Sequence, residues 1–296
     1  MKRILIVGAG DVAGRAIPWL ARRFRVFALT RRPEACEHLR RLGAMPLLGD
    51  LDDRASLARI AGIADAVLHF APPPSEGTND ARTARLLAAL AGGRSLPQRL
   101  IYISTTGVYG DRAGAHIDET WPCRPTTARA RRRVDAERRL RDFGARNGVA
   151  VTVLRAPGIY AADRLPLERL RRGDPVPLPD EDVFTNHIHA EDLARMACIA
   201  LFRGRAGRVY NAVDRSELKM GEYFELAAAT FGLAPPPRLG RAELAQRLSP
   251  MALSFMSESR RIDGSRVLRE LRLRLVHPTV ADGFAAAIAE QGKPAC

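Results

Sequence analysis

A short apolar run that leads directly into a glycine-rich turn sets the strongest constraint on how this chain can fold. Arg3–Val7 reads RILIV, and Gly8–Gly14 continues as GAGDVAG. Read as G-x-G-x-x-A, Gly8 permits a tight turn, Gly10 lets backbone amides approach a pyrophosphate, and Ala13 lets the next helix pack closely on the strand. The amino end of that helix carries a partial positive charge. The segment therefore predicts a strand, a turn and a helix that together bind a dinucleotide.

Short apolar runs alternate with longer amphipathic stretches through the first half of the chain. The runs that predict strands are Arg3–Val7, Arg25–Leu29, Ala66–Phe70, Arg99–Ser104 and Val149–Arg155. The stretches that predict helices include Ala55–Ile60, Asp80–Ala91 and Ala130–Asn147. Such alternation is typical of βαβ units around a parallel sheet that is buried on both faces. We therefore expect an α/β protein with a Rossmann-type, doubly wound parallel sheet.

The end of the second predicted strand indicates which dinucleotide is bound. An acid at this point would accept a hydrogen bond from the ribose 2′-hydroxyl of NAD. The chain instead has Thr30, Arg31 and Arg32, and no carboxylate appears before Glu34. Two guanidiniums can form charge-assisted hydrogen bonds with a 2′-phosphate, so NADP(H) is predicted in preference to NAD(H). The alternative is that these arginines only begin a solvated helix.

The pattern changes after Arg155, where a proline-rich segment, Gly173–Asp182, is followed by mainly helical patterns. We expect a smaller, mainly helical substrate-binding lobe over the carboxyl edge of the sheet, where ligands bind in open α/β folds. The two predicted domains are an NADP(H)-binding Rossmann domain of residues 1–157 plus 183–214, and a smaller lobe of residues 158–182 plus 215–296.

The formal net charge of +14 would ordinarily favour a phosphate-rich partner. The excess is almost entirely arginine, which indicates a codon effect of a GC-rich genome more simply than a nucleic-acid surface. The densest run, Arg129–Arg141, would give a salt-dependent affinity for nucleic acid. No aromatic residue lies in this run to stack on bases, so nucleic acid is a disfavoured partner.

Cysteine spacing and hydropathy indicate a protein of a reducing compartment. The four cysteines, Cys36, Cys123, Cys198 and Cys296, form no CxxC pair and no cluster of metal ligands. The first apolar run is too short for a signal peptide, and no window approaches about 18 uncharged apolar residues. We therefore expect a cytoplasmic protein without a membrane segment or a metal site.

Five further segments are similar to motifs of a known family. They are GDLDD at Gly49–Asp53, LHFAPP at Leu68–Pro73, YISTTGVYG at Tyr102–Gly110, LRAPGIY at Leu154–Tyr160 and HIHAEDLA at His187–Ala194. With the glycine motif, they make nearly the whole chain resemble the extended or atypical short-chain dehydrogenases/reductases, which include sugar-nucleotide epimerases and dehydratases. The resemblance implies that Asp50 and Leu51 contact adenine. It also implies that the end of LHFAPP lines the cofactor, although its prolines depart from the family's H-x-A-A.

The glycine motif, the two arginines and this resemblance together define a predicted cofactor site. Its residues are Gly8, Gly10, Asp11, Val12, Ala13, Thr30, Arg31, Arg32, Asp50, Leu51, Phe70, Ala71, Pro72, Arg133, Ala156 and Pro157.

The resemblance also implies where catalysis takes place. Thr105, four residues before Tyr109, takes the position of the family's substrate-binding hydroxyl. The alternative is a strand-end threonine that bonds the local backbone. The family's catalytic YxxxK pair falls on Arg129 and Arg133 when Glu137 is used as the anchor of the helix.

Arginine cannot replace the tyrosine of that pair. It stays protonated, so Arg129 cannot act as a general base, whereas Arg133 can keep the ribose and charge roles of the lysine. Tyr109 is a substitute proton donor, against the alternative that it is a packing tyrosine. His187 and His189 can titrate near neutrality, but similar segments support the edge of the sheet in the family.

These observations favour an NAD(P)-dependent oxidoreductase or epimerase/dehydratase-like protein that acts by hydride transfer on a carbonyl or alcohol of a small molecule. A nucleotide sugar is one candidate, and its diphosphate is expected at Arg155, Arg260 and Arg261. The alternative is a catalytically impaired NADPH-binding sensor or scaffold protein, which the loss of tyrosine and lysine favours. The resemblance further implies a homodimer through the two helices predicted at residues 80–91 and 130–147, although like charges oppose it.

Overall fold

The computed structural model describes residues 2–291, so residues 292–296 of the expected smaller lobe, with Cys296, lie outside it. Its strands are β1 (Arg3–Val7), β2 (Arg25–Thr30), β3 (Ala44–Leu48), β4 (Ala66–His69), β5 (Arg99–Thr105), β6 (His116–Ile117), β7 (Ala150–Ala156), β8 (Gly158–Tyr160), β9 (Val176–Pro177), β10 (Phe184–Thr185), β11 (His187–His189), β12 (Val209–Asn211), β13 (Leu218–Lys219), β14 (Arg238–Leu239) and β15 (Arg261–Ile262). Its helices are α1 (Asp11–Ala21), α2 (Ala35–Arg41), α3 (Ala81–Ala91), α4 (Ala128–Asn147), α5 (Leu167–Arg171), α6 (Ala190–Arg203), α7 (Met220–Phe231), α8 (Arg241–Arg247), α9 (Pro250–Phe255), α10 (Ser265–Leu271) and α11 (Val280–Gln291), with 3₁₀ helices at Ala55–Ile60 and Thr106–Tyr109. Among these described helices, none has the length and apolar character needed to cross a bilayer.

Seven parallel strands form the main sheet, in the order β12-β7-β5-β4-β1-β2-β3. At the end of β1, Val7 lies opposite Leu29 of β2 on one side and His69 of β4 on the other. β2 and β3 follow on one side of β1, and the chain then crosses to β4 and β5 on the other side. This reversal of strand order creates a switch point between β1 and β4, the kind of place where open α/β sheets bind ligands. The expected doubly wound fold is confirmed. The sequence analysis did not predict β3, because the strand contains Pro46 and proline argues against a strand. The proline is tolerated because β3 lies at the edge of the sheet.

Alternate residues of the central strands face two separate cores. In β1, Ile4 and Ile6 belong to a core that includes residues of α1 and α6. The intervening Leu5 and Val7 belong to a core that includes residues of α3 and α4. Successive side chains of a strand point to opposite faces, so burial on both sides explains why these strands read as continuous apolar runs.

A third core holds the smaller lobe together. Tyr160 of β8, Tyr223 of α7 and Phe284 of α11 pack in it. β8 runs parallel to β11, and β9 runs parallel to β14, as separate two-stranded pairs. The sequence analysis placed α10 in the smaller lobe. In the structure, its residues Val267 and Leu271 pack in the core of α1 and α6. This helix therefore belongs to the larger lobe.

The arginine-rich segment forms α4, a capped helix of 20 residues. The Thr127 side chain accepts a hydrogen bond at its amino end, and Gly148 ends it in the left-handed conformation, as capping rules predict. Arg138 and Arg139 both pair with Asp135, at 2.8 and 2.7 Å. Part of the positive charge of this run is therefore neutralised within the helix.

Asp214 is a buried acid that follows β12 at the boundary between the lobes. One of its oxygens accepts a hydrogen bond from Ser216 N at 2.9 Å, and the other has no hydrogen-bond partner among the described residues. Burial raises the pKa of Asp214 from 3.8 to about 7. The folded protein keeps this proton up to near pH 7, whereas the unfolded chain releases it near pH 4. The free energy of unfolding should therefore fall as pH rises through this interval, by roughly 4 kcal/mol at most.

Asp214→Asn should abolish this pH dependence, because an amide stays neutral. We expect the variant to exceed the wild-type protein in unfolding free energy at pH 8 and to match it near pH 3, below the pKa of the unfolded chain, as measured by urea denaturation. Asp180→Asn, which changes an exposed acid of the smaller lobe, is the control and should behave like the wild-type protein at both values. A loss of stability in Asp214→Asn at pH 8 would contradict the assignment.

Candidate functional site

A cavity of about 490 Å³ opens at the switch point between β1 and β4. Most of the predicted cofactor residues line it together, namely Gly8, Gly10, Asp11, Val12, Ala13, Thr30, Arg31, Arg32, Asp50, Leu51, Phe70, Ala71 and Pro72. The sequence did not single out the other lining residues, which are Val7, Ala9, Leu29, Gly49, Arg82, Ile159 and Arg164. The predicted contacts Arg133, Ala156 and Pro157 do not line this cavity.

The glycine turn shapes one wall of the cavity. Gly8 has a φ of +94°, and a Cβ on it would lie 2.4 Å from the backbone nitrogen of Ala71. Gly10 caps α1, and a Cβ on it would meet no atom within 4 Å. The first amides of a helix have no partner within the helix, so those of α1 are available to an anion at this open side. These residues fit the diphosphate of a dinucleotide.

The end of β2 carries free positive charge. Thr30 is buried, and its hydroxyl oxygen accepts a hydrogen bond from the backbone nitrogen of Arg32 at 3.2 Å. Arg31 and Arg32 are exposed, and neither guanidinium forms a hydrogen bond or ion pair with the described residues. Arg31 acts on Asp52 only at long range. Both guanidiniums therefore remain available to a phosphate.

Arg82 is a cavity residue that the sequence analysis missed. It pairs with Asp52 through Nε at 3.0 Å and Nη2 at 2.5 Å, and this hydrogen bonding holds the pKa of Asp52 below its usual range. Its Nη1 donates to the carbonyl oxygens of Pro72 and Pro73, each at 3.3 Å. Arg82 thereby ties the proline segment after β4 to the loop that follows β3. No motif marked it, because its position depends on α3 approaching this loop in the folded state.

Thr105 ends β5, next to β4, at the same edge of the sheet as the cavity. Its Oγ1 accepts a hydrogen bond from Gly107 N at 3.2 Å, which is the local bond expected of a strand-end threonine. The hydroxyl proton is not used by that bond, so it can still be donated to a substrate oxygen. Thr105 is half-buried and therefore reachable from solvent.

Tyr109, in contrast, is fully buried. Its hydroxyl donates to Asn211 Oδ1 at 2.7 Å, and burial raises its pKa to about 12. The Arg155 guanidinium lies 4.7 Å from the centre of its ring. The structure thus favours the alternative of a packing tyrosine over that of a substitute proton donor.

The two arginines at the expected position of the catalytic pair lie on α4. Arg129 is exposed, and its guanidinium stacks 4.5 Å from the ring centre of Phe255. Arg133 Nη1 donates to Ile103 O at 2.8 Å and to the Tyr102 hydroxyl at 2.9 Å, which fastens α4 to β5. The ribose and charge roles of Arg133 remain a prediction.

Arg155 does not take the diphosphate role expected of it. Its side chain is 4% exposed, and it pairs with the buried Glu137 at 2.8 Å. Arg260 Nη1 donates to Gly110 O at 2.9 Å and pairs with Glu258 Oε2 at 2.8 Å. Arg261 donates to the carbonyl oxygen of Gly114 and stacks on a phenylalanine. Arg155 and Arg260 are each paired with a carboxylate, so the structure does not support these two as diphosphate ligands, whereas Arg261 uses only its Nε in a hydrogen bond.

His187 and His189 are buried supports of the smaller lobe. Burial lowers the pKa of His187 to about 3 and that of His189 to about 4, so both are neutral at physiological pH. His187 stacks on Tyr223 with ring centres 4.1 Å apart. The rings of His189 and His277 are 3.8 Å apart, and His189 Nδ1 accepts a hydrogen bond from the Glu191 backbone. Neither histidine lines the cavity, so neither is placed to protonate a ligand there.

Known proteins match this chain over most of its length. The family model described as NAD dependent epimerase/dehydratase family matches residues 4–212. The 4-hydroxy-2-methyl-3-oxo-4-farnesyl-3,4-dihydroquinoline-1-oxide ketoreductase of Stigmatella aurantiaca is 27% identical over 249 residues, which cover 78% of this chain and 74% of that protein.

Two solved structures share the fold. A functionally unknown conserved protein from Silicibacter pomeroyi is 31% identical, with a TM-score of 0.81 over 98% of this chain and 99% of that one. UDP-glucuronic acid 4-epimerase from Bacillus cereus, solved with UDP-glucuronic acid and NAD, has a TM-score of 0.76 over 97% of this chain and 98% of that one. It is 18% identical, so this likeness shows the fold alone.

Gly8→Ala and Gly10→Ala should separate folding from ligand binding. Gly8→Ala adds a Cβ against the Ala71 backbone in a strained conformation, so we expect it to lower the unfolding free energy by more than about 2 kcal/mol. Gly10→Ala should change this free energy by less than about 1 kcal/mol, because its Cβ meets open space, but it should weaken dinucleotide binding. Urea denaturation and fluorescence titration with NADPH measure the two effects. Equal stability losses in both variants would contradict this reading of the turn.

Proposed function

The chain belongs to the NAD dependent epimerase/dehydratase family, and from this premise we propose that it is an oxidoreductase that prefers NADP(H) and reduces a carbonyl, or oxidises an alcohol, of a small molecule. Family membership supports a nicotinamide-dependent enzyme of the epimerase, dehydratase or reductase kind. One observation carries the finer proposal: the switch-point cavity joins an open glycine turn to two guanidiniums that have no partner among the described residues.

The preference for NADP(H) follows from charge at the end of β2. Thr30 offers no carboxylate to a ribose 2′-hydroxyl, whereas Arg31 and Arg32 offer several donors to a 2′-phosphate. The acid of the neighbouring loop, Asp52, is already paired with Arg82. A 2′-phosphate would therefore meet net positive charge at this end of the cavity.

When bound, the cofactor supplies or accepts a hydride, and the protein has to position the substrate and stabilise its oxygen. Thr105 is the group proposed to do so, because its hydroxyl proton is free to bond a carbonyl oxygen while Gly107 N holds its Oγ1. Arg133 fixes the carbonyl of Ile103, two residues earlier in β5, and so steadies the strand end. Arg129 stays charged and therefore takes no part as a base.

A carbonyl compound without a diphosphate is the favoured substrate class. Arg155 and Arg260, two of the three arginines expected to bind a nucleotide sugar, are paired with carboxylates of the chain. A relative at 27% identity is named a ketoreductase, which supports reduction of a ketone. NADPH oxidation measured with a panel of ketones, aldehydes and nucleotide sugars tests the proposal. Binding of NADPH with no turnover on the whole panel would instead favour a sensor or scaffold protein.

Replacing Arg31 and Arg32 by alanine should remove the cofactor preference. A hydrogen bond between a guanidinium and a charged phosphate contributes about 1.5–3 kcal/mol. Removing each arginine should therefore lower the affinity for NADP⁺ by at least about tenfold. The affinity for NAD⁺ should change by less than about threefold, because NAD⁺ has no 2′-phosphate. Arg40→Ala, on the exposed side of α2, is the control and should bind both nucleotides like the wild-type protein. Tighter binding of NAD⁺ than of NADP⁺ by the wild-type protein would overturn the preference.

Thr105→Val should lower kcat/KM for carbonyl reduction by about 10²-fold, the usual effect of removing one donor to a developing oxyanion. The Kd for NADP⁺ should stay within about twofold, because Thr105 does not line the nucleotide cavity. Thr105→Ser keeps both the hydroxyl and the local cap and should retain most of the activity. Thermal denaturation of each variant controls for the lost cap. Full activity in Thr105→Val would remove Thr105 from the mechanism.

A further inference from the structure

One cavity residue comes from the other lobe. Arg164 lies in the segment between β8 and α5 of the smaller lobe, yet it lines the cavity whose glycine turn belongs to the larger lobe. The base of this segment is fixed, since Tyr160 and Ala161 are buried and the Tyr160 hydroxyl donates to Thr279 O at 3.1 Å. The segment therefore presents the Arg164 guanidinium at the glycine turn.

A chain of alternating charges connects this segment to the first turn of α1. Arg164 Nη1 lies 3.4 Å from Asp11 Oδ2, and Arg15 Nε lies 3.0 Å from Asp11 Oδ1. Arg15 Nη2 in turn lies 3.1 Å from Asp163 Oδ1. All four side chains are partly exposed, and exposed ion pairs contribute little to stability. Such pairs can exchange partners when a stronger anion arrives.

Asp11 places an acid at the point where an anionic ligand is proposed to bind. It is the first residue of α1, directly after Gly10, and it lines the cavity at the point proposed to hold a diphosphate. Among the described residues, its carboxylate accepts hydrogen bonds from the side chains of Arg15 and Arg164 and from no backbone amide of α1. The acid is neutralised by Arg15 and Arg164 instead, which leaves the amides open. Without Arg164, a diphosphate would face the repulsion of Asp11 with less compensation.

The Arg164 guanidinium has donors to spare. Its contact with Asp11 is a single, long one through Nη1, and its Nε and Nη2 have no partner among the described residues. A guanidinium presents five donors in a rigid fork that matches phosphate oxygens. Arg164 can thus keep its contact with Asp11 and bind a phosphate oxygen at the same time.

We propose that Arg164 is a ligand of the cofactor diphosphate supplied by the smaller lobe, held ready by Asp11, so that cofactor binding draws the segment 161–166 onto the nucleotide. This inference rests on the proposed function, because it assigns Arg164 to the same cofactor. Its consequence is that the occupancy of the cofactor site sets the position of the segment that leads into the smaller lobe. Cofactor binding and the shape of the substrate side are thereby coupled.

Adenosine 2′-monophosphate separates the two ends of the site, because it carries the 2′-phosphate but no diphosphate. We expect Arg164→Gln to weaken NADP⁺ and NAD⁺ binding by about tenfold, the loss of one charge-assisted hydrogen bond, and to leave the Kd of adenosine 2′-monophosphate within about twofold. Arg171→Gln, which changes an exposed arginine of α5 outside the cavity, should alter none of the three affinities. Calorimetric titration of each variant with each nucleotide measures them.

Hydrogen–deuterium exchange tests the coupling between the lobes. NADP⁺ at saturation should slow exchange of the amides of residues 161–165 in the wild-type protein, and this protection should be lost in Arg164→Gln.

Failure of this inference differs from failure of the proposed function. If the wild-type protein binds NADP⁺ and Arg164→Gln binds it equally well, the role of Arg164 is wrong and the function stands. The same holds if Arg164→Gln weakens adenosine 2′-monophosphate and NADP⁺ alike, since the effect is then one of general charge. If the wild-type protein binds neither dinucleotide, the function is wrong and the inference falls with it.

Discussion

The approach of the turn after β1 to the end of β4 is the constraint on which the nucleotide site depends. The carbonyl oxygen of Val7 accepts hydrogen bonds from both Phe70 N and Ala71 N, at 2.8 and 2.9 Å, which continues the pairing of the two strands beyond their regular ends. This brings the backbone of Ala71 so close to Gly8 that no side chain fits between them. α1 must therefore start at the switch point, and its free amides open on the cavity. A glycine at this position is required by packing before any ligand is considered.

A second constraint acts at the carboxyl end of β5, where α4 is fastened to the sheet by charged side chains. Glu137 is buried and accepts hydrogen bonds from Ser104 at 2.6 Å, from Arg155 at 2.8 Å and from Arg141 at 3.1 Å. A buried charge is tolerated only when it is paired in this way, and removing one partner is costly. These pairs hold α4 against the sheet at the end of β5. At the same strand end, Thr105 accepts a hydrogen bond from Gly107 N and keeps its hydroxyl proton free, which is the basis of the role proposed for it above.

Local patterns predicted most of the sheet and most of the cavity, because both depend on contacts between neighbouring segments. The five predicted strands and the glycine turn follow from apolar runs and from the backbone freedom of Gly8. The side-chain roles that the structure does not support depend on partners far along the chain, which no local pattern reveals. Tyr109 finds its acceptor in Asn211, 102 residues away, and Arg155 is taken up by Glu137. Arg164 was missed for the same reason, since it reaches the cavity only when the lobes meet.

The positive charge of the chain has to be judged by which guanidiniums are free rather than by their number. Those of Arg155 and Arg260 are paired with carboxylates of the chain, so they contribute structure instead of a binding surface. At the cavity, the guanidiniums of Arg31 and Arg32 have no partner at the adenosine end, and Arg164 is only partly satisfied by Asp11 at the other. Like charges that lack partners repel one another in the absence of a ligand, and an anion with phosphates at both places relieves that repulsion. A nucleotide phosphorylated on its adenosine ribose has this distribution of charge, which is why the proposal of NADP(H) rests on the free arginines and not on the arginine-rich helix.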